Sequence, residues 1–135
     1  MATITHAREA VIQTLYAQEM GNNQATEQFE EILRDKKIKG KKAEFAKKLL
    51  TGILQKIDKI DTIIEDHLID WDFDRLDKVD KQILRVGIYE ILYTDTPYQI
   101  VIDEAIKIAK NFSEDKAKNF INGILDKVAK EQIKK

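Results

Sequence analysis

Two histidines, one serine and a short run of aspartates are the residues of this 135-residue chain most suited to chemistry. His67, in "EDHLID", stands close to Asp66 and Asp70, a spacing that could hold a metal on one helix face. No second histidine and no cysteine accompany it, so a solvated acidic face is the better reading. Ser113 has no His/Asp constellation around it and suits a helix cap better than a nucleophile. Asp70, Asp72 and Asp74 fall in "DWDFD", a turn without the apolar surroundings that would push their pKa values apart. Gly21, Gly40, Gly52, Gly87 and Gly123 stand singly, so no phosphate-cradling loop is present. Neither a catalytic centre, a metal site nor a cofactor is expected.

Binding chemistry remains. Between 110 and 120 the chain interleaves Phe112 and Phe120 with Lys110, Lys116 and Lys118 and with the amides of Asn111 and Asn119. Rings that stack on bases beside cations that meet phosphates suit unpaired RNA. His6 and Arg8 near the start of the first helix add to the same candidate set. A second set comprises Tyr16, two turns beyond Arg8, and Arg85, Tyr89 and Glu90, with Arg85 and Tyr89 one turn apart.

These residues must be positioned by helices, because every apolar pattern in the chain has helical period and none alternates. A first helix over 4–20 is capped by Thr3 or Thr5, stopped by Gly21, and buries Ala7, Ala10, Val11, Thr14 and Leu15. A second, 25–35, buries Phe29, Ile32 and Leu33. A long third runs a stripe from Phe45 through Leu49, Ile53, Ile57, Ile60 and Ile64 to Leu68. Trp71 and Phe73 pack the next turn, and a fourth helix over 75–94 carries Leu76, Val79, Ile83, Val86 and Leu92. In "TPYQ" Thr96 caps a fifth helix, Pro97 takes its first position and Gln99 reaches back. That helix buries Val101, Ile102, Ala105, Ile106 and Ala109 and ends at Phe112. Ser113 caps the sixth, where Asn122-Gly123 is a hairpin pair set in helical spacing. The expectation there is packing: Gly123 lets the helix approach a neighbour closely.

Composition agrees with an all-α bundle in a single domain over 1–135. Proline and serine occur once each and charged residues make up 35%. Met1 leads into neither a basic leader nor an apolar core, and no apolar run reaches the roughly 20 residues that span a bilayer, so a cytoplasmic protein is expected. The net charge of −1 conceals segregation. Residues 1–35 carry −4 (two basic, six acidic) and 36–57 carry +7 (eight basic, one acidic). Residues 58–106 carry −8 (five basic, thirteen acidic) and 107–135 carry +4 (eight basic, four acidic). Such blocks suit partners of opposite charge.

"AREAVIQTLYAQE" (7–19), "DKVDKQILRVGIYEIL" (77–92), "PYQIVIDEAIKIAKNFS" (97–113) and "FINGILDKVA" (120–129) together resemble the NusB family of bacterial transcription antitermination proteins. The resemblance covers nearly the whole chain in the family's order, with 21–60 similar in helical pattern only. It implies two small three-helix bundles packed together, with six or seven helices in all. It also implies two ligands, the boxA RNA of ribosomal-RNA leaders and the ribosomal small-subunit protein NusE, acting within the antitermination complex on RNA polymerase. By position, Arg8 matches the last arginine of the family's basic N-terminal run, and Phe112, Lys116, Lys118 and Phe120 its second RNA-contacting region. Tyr16, Arg85, Tyr89 and Glu90 match the area where NusE docks. One departure counts: "ATITHAR" has Arg8 alone where many members carry an arginine cluster, so weak RNA binding without the partner is expected. The alternatives are a helical protein–protein module with no RNA specificity of its own and, distantly, an RNA-modifying enzyme. The same domain occurs fused to an rRNA cytosine methyltransferase, for which a chain ending at Lys135 leaves no room. The resemblance leaves open whether the chain pairs as a homodimer.

Overall fold

In the computed structural model, which describes residues 2–69 and 72–133, the chain is helical throughout and no strand occurs among those residues. Seven α-helices follow in order: α1 (Ile4–Glu19), α2 (Phe29–Asp35), α3 (Lys41–Gln55), α4 (Ile57–Asp66), α5 (Lys78–Tyr93), α6 (Tyr98–Phe112) and α7 (Ala117–Ile133). A single 3₁₀ turn, Phe73–Arg75, precedes α5. Asp70 and Trp71 lie outside the described residues; Phe73, the other aromatic of that turn, sits under the Lys81 ammonium at 4.4 Å.

Helices α5, α6 and α7 pack pairwise as one three-helix bundle. The other half gathers α1, α2 and α3: α1 packs on both others, and a Lys47–Glu30 ion pair joins α3 to α2. Helix α5 is the shared member, touching α1, α3, α4, α6 and α7. The predicted stripe of α1 is wholly buried, as are Ile83 and Val86 of α5 and Ile121, Ile124, Leu125 and Val128 of α7. All of them but Thr14 belong to one continuous hydrophobic core.

Local signals set several ends. Thr3 caps α1 in a reciprocal box with His6, and Gly21 follows its end at φ 108°. Asp77 caps α5 by accepting from the Val79 and Asp80 amides at 2.9 and 3.0 Å. Five expectations fail. Helix α2 begins at Phe29, after a series of turns, and Ile32 is only partly buried. The predicted third helix divides at Lys56 (φ −112°, ψ 12°). A straight rod over 45–68 would run about 36 Å, against about 24 Å for α1 or α5, and would overshoot them. Beyond the break α4 packs on α5, with Ile60 and Ile64 buried. At α6 the capping position is Pro97 with no side-chain cap, and Thr94, not Thr96, bonds the preceding turn through the Glu90 carbonyl at 2.7 Å. Ser113 ends α6 instead of capping α7.

Gly123 is the fifth. A Cβ there would meet nothing within 4 Å, so the expectation of close helix packing is overturned. The close approaches belong to other glycines: a Cβ at Gly52 would collide with the Tyr89 ring, and one at Gly87 with Leu125.

Candidate nucleic-acid interface

Helix α6 ends where the Ser113 amide donates to the Ala109 carbonyl at 2.8 Å. The chain there is extended, and the Ser113 hydroxyl donates to Asp80 Oδ1 at 2.5 Å, pinning the α6–α7 corner to the first turn of α5. Burial raises the Asp80 pKa; the Ser113 hydrogen bond opposes this, and the Asp77 and Glu114 charges reinforce it.

This pinned corner holds the aromatic and basic residues together. Lys110, Asn111, Lys116 and Asn119 are exposed, Lys118 and Phe120 half-buried, and Phe112 is 47% exposed. Left in water, a phenylalanine at a helix end has surface to offer a ligand. Two depressions flank the corner. A cleft of about 460 Å³ is lined by Lys116, Phe120, Arg75 and Asp80 among others. A groove of about 330 Å³ is lined by Phe112, Val79 and, from α1, Glu9, Ile12, Gln13 and Tyr16. Tyr16, 37% exposed, therefore shares a groove with Phe112, so one member of each candidate set faces the same hollow.

The remaining candidates are placed differently. His6 is exposed, but its Nδ1 accepts the Thr3 amide at 3.0 Å as part of the α1 cap. Arg8 is 4% exposed. Its Nε and Nη2 donate to the two oxygens of Glu90, both at 2.8 Å, and its Nη1 donates to Glu104 at 2.9 Å. Thr5 completes the network with a 2.7 Å bond to Glu104. Burial disfavours the Arg8 charge, but Glu90 and Glu104 outweigh it and raise its pKa. A guanidinium so occupied, stacked 5.1 Å from the Phe45 ring, fastens α1 to α5 and α6 and has no free fork for phosphate.

Arg85 and Glu90 are likewise interior. Arg85 grips Asp61 of α4 through Nε and Nη2 at 2.8 and 2.7 Å, and its Nη1 reaches Glu19 of α1 at 3.1 Å. Lys81 and Gln82 also donate to Glu19, at 2.9 and 3.0 Å. Burial works against the Glu19 carboxylate, yet those hydrogen bonds and the Lys81 and Arg85 charges hold its pKa down at about 2. Tyr89 is half-buried across Gly52, more than two turns along α5 from the Tyr16 groove. Sequence reasoning missed Gln13 and Glu104. Their signals were a polar residue opposite the buried stripe of α1 and a carboxylate beside Ala105 on the buried face of α6. His67, for its part, is held by the Ile63 carbonyl at 2.8 Å and Glu131 at 3.0 Å. No cluster of three metal-ligating side chains occurs among the described residues.

The chain is similar to known proteins over nearly its whole length. A curated NusB transcription antitermination protein from a Nitratiruptor species is 47% identical over 131 residues, covering 97% of this chain and 94% of the relative. The structure of T. maritima NusB superposes with a TM-score of 0.88 at 36% identity, covering 96% of this chain and 92% of that one. A crystal structure of antitermination factors NusB and NusE in complex with dsRNA gives 0.84 at 32% identity, covering 94% and 96%. Residues 5–130 match the NusB family, and the chain belongs to that family.

Proposed function

We propose that this chain is a transcription antitermination factor that binds the boxA RNA of ribosomal-RNA leaders together with NusE, so that RNA polymerase reads through terminators. The whole of 1–135 acts as one RNA-binding domain in the cytoplasm, by binding and without catalysis. The observation that carries the reading is the exposed Phe112 at a corner crowded with lysines and amides, sharing a groove with Tyr16. Phe112 and Phe120 stack on unpaired bases, Lys110, Lys116 and Lys118 meet phosphates, and Asn111 and Asn119 read base edges, with His6 at the periphery. Tyr16 and its groove receive NusE. Arg8, Arg85 and Glu90 serve both surfaces from inside, by holding α1 against α5. Support comes also from relatives named as antitermination proteins and from the neighbour crystallised with NusE and RNA.

Titration of a boxA oligonucleotide with and without NusE tests this. Binding by the chain alone should be weak and should tighten with NusE. Phe112→Ala should cost about 1–3 kcal/mol of RNA affinity, the value of one base–aromatic stack. If no RNA signal appears in either case while NusE still binds, the chain is a protein–protein module instead.

A further inference from the structure

The lysines between α2 and α3 take no part in the surfaces above, and the turn that bears them has a distinctive build. The Lys37 amide donates to the Arg34 carbonyl at 3.0 Å and the Ile38 amide to the Leu33 carbonyl at 2.8 Å. This paired closure of a helix end places its next residue in the left-handed region, a position that ordinarily belongs to glycine. Here it is Lys37, at φ 59°, the only non-glycine residue with positive φ among those described. Ile38, 3% exposed, anchors the turn in the core next to Leu33. Gly40, at φ 64°, starts α3. The result is a fixed platform from which Lys36, Lys37, Lys39 and Lys41 project into water. None of the four has an ion-pair partner among the described residues, and the nearby acidic residues in sequence are Asp35 and Glu44. The Lys42 ammonium donates to the Ala2 carbonyl at 2.7 Å, which sets the platform beside the start of α1 and the exposed His6.

Lys37 holds a conformation that glycine would adopt more easily, so the turn carries a further exposed charge that its own closure does not require. We propose that the 36–41 turn is a second RNA contact, gripping phosphates of the strand outside boxA without regard to base sequence. Phosphates fit better than an acidic protein, because the turn's one apolar residue is buried and leaves no exposed anchor of the kind protein interfaces need. The inference rests on the RNA-binding reading given above.

The test uses the full chain with NusE and two RNAs: a boxA oligonucleotide, and the same element extended by about 15 nucleotides on each side. Extension should tighten wild-type binding by about tenfold at low salt, with the salt slope steeper by about 2, as for three phosphate contacts on a single strand. Replacing Lys36, Lys37 and Lys39 together by Gln should abolish that gain and leave the short RNA within about twofold. Lys37→Gly should melt no lower than wild type, since it removes the strained side chain, yet lose part of the gain. Should the triple variant keep the gain, or lose affinity equally for both RNAs, the turn is not this contact. A triple variant that loses NusE binding in the absence of RNA would assign the turn to protein and also overturn it. Failure of the wild-type complex to bind even the short RNA would instead sink the RNA reading itself.

Discussion

Glu90 is 1% exposed, and among the described residues its one charged partner is Arg8, which answers both of its oxygens. Truncation of Arg8 strands that carboxylate in the core, so Arg8→Ala should lower stability by about 3–5 kcal/mol in urea unfolding. Arg8→Lys, which keeps the charge and loses the fork, should recover only part of it. The paired change Arg8→Met with Glu90→Leu should recover most, because no charge is then left unanswered. Gly123 predicts in the opposite direction. With open space around its Cβ position and exposed residues beside it, Gly123→Ala should raise stability by about 1 kcal/mol, the ordinary helix-interior difference. Residue types marked the candidate corner from sequence, and the structure gathers its aromatics and lysines at the α6–α7 corner. Arg8, Arg85 and Glu90 were harder to place: a charged residue on a helix reads as surface unless its partner is known, and their partners lie 24 to 96 positions away.

At the scale of helices, Glu19 is where α1 meets α5, and through Arg85 the linkage extends to Asp61 on α4. The Glu19 carboxylate titrates at about 2 against an ordinary 4.5, so folding favours its ionised form. The stability it supplies is complete above about pH 5 and is lost as pH falls through 4.5 toward 2. After allowance for its partial exposure this amounts to about 2 kcal/mol. Glu19→Gln should therefore be less stable at pH 7 and show a flatter acid limb in denaturation monitored between pH 6 and 2. Arg85→Ala should leave Asp61 unpaired and speed amide exchange in α4 more than in α7. Helix positions were legible because the apolar period of 3.6 is strong in every segment; the break at Lys56 was not. Its stripe continues from Ile53 to Ile57 without a proline or glycine, and only the length of the neighbouring helices argues that a straight rod must be interrupted there.

For the whole molecule, the Tyr16–Phe112 groove brings the two proposed ligand surfaces together across α1 and α6. Ligands seated on its two walls would touch, so each should bind more tightly when the other is present, by the same factor in both orders of addition. Isothermal titration of NusE with and without boxA RNA, and of RNA with and without NusE, measures both sides of that cycle. Phe112→Ala should shrink the factor as well as the RNA affinity.

Helix α5 has neighbours on several sides: α1 and α3 from one half of the fold, α6 and α7 from the other, and α4. A rod enclosed like the pin of a hinge cannot loosen while either leaf stays shut. Deuterium should reach its central amides, from Ile83 to Ile88, only through events that open the entire protein, and it should reach them all at one rate. The two halves then stand or fall as a unit, whichever one a mutation strikes.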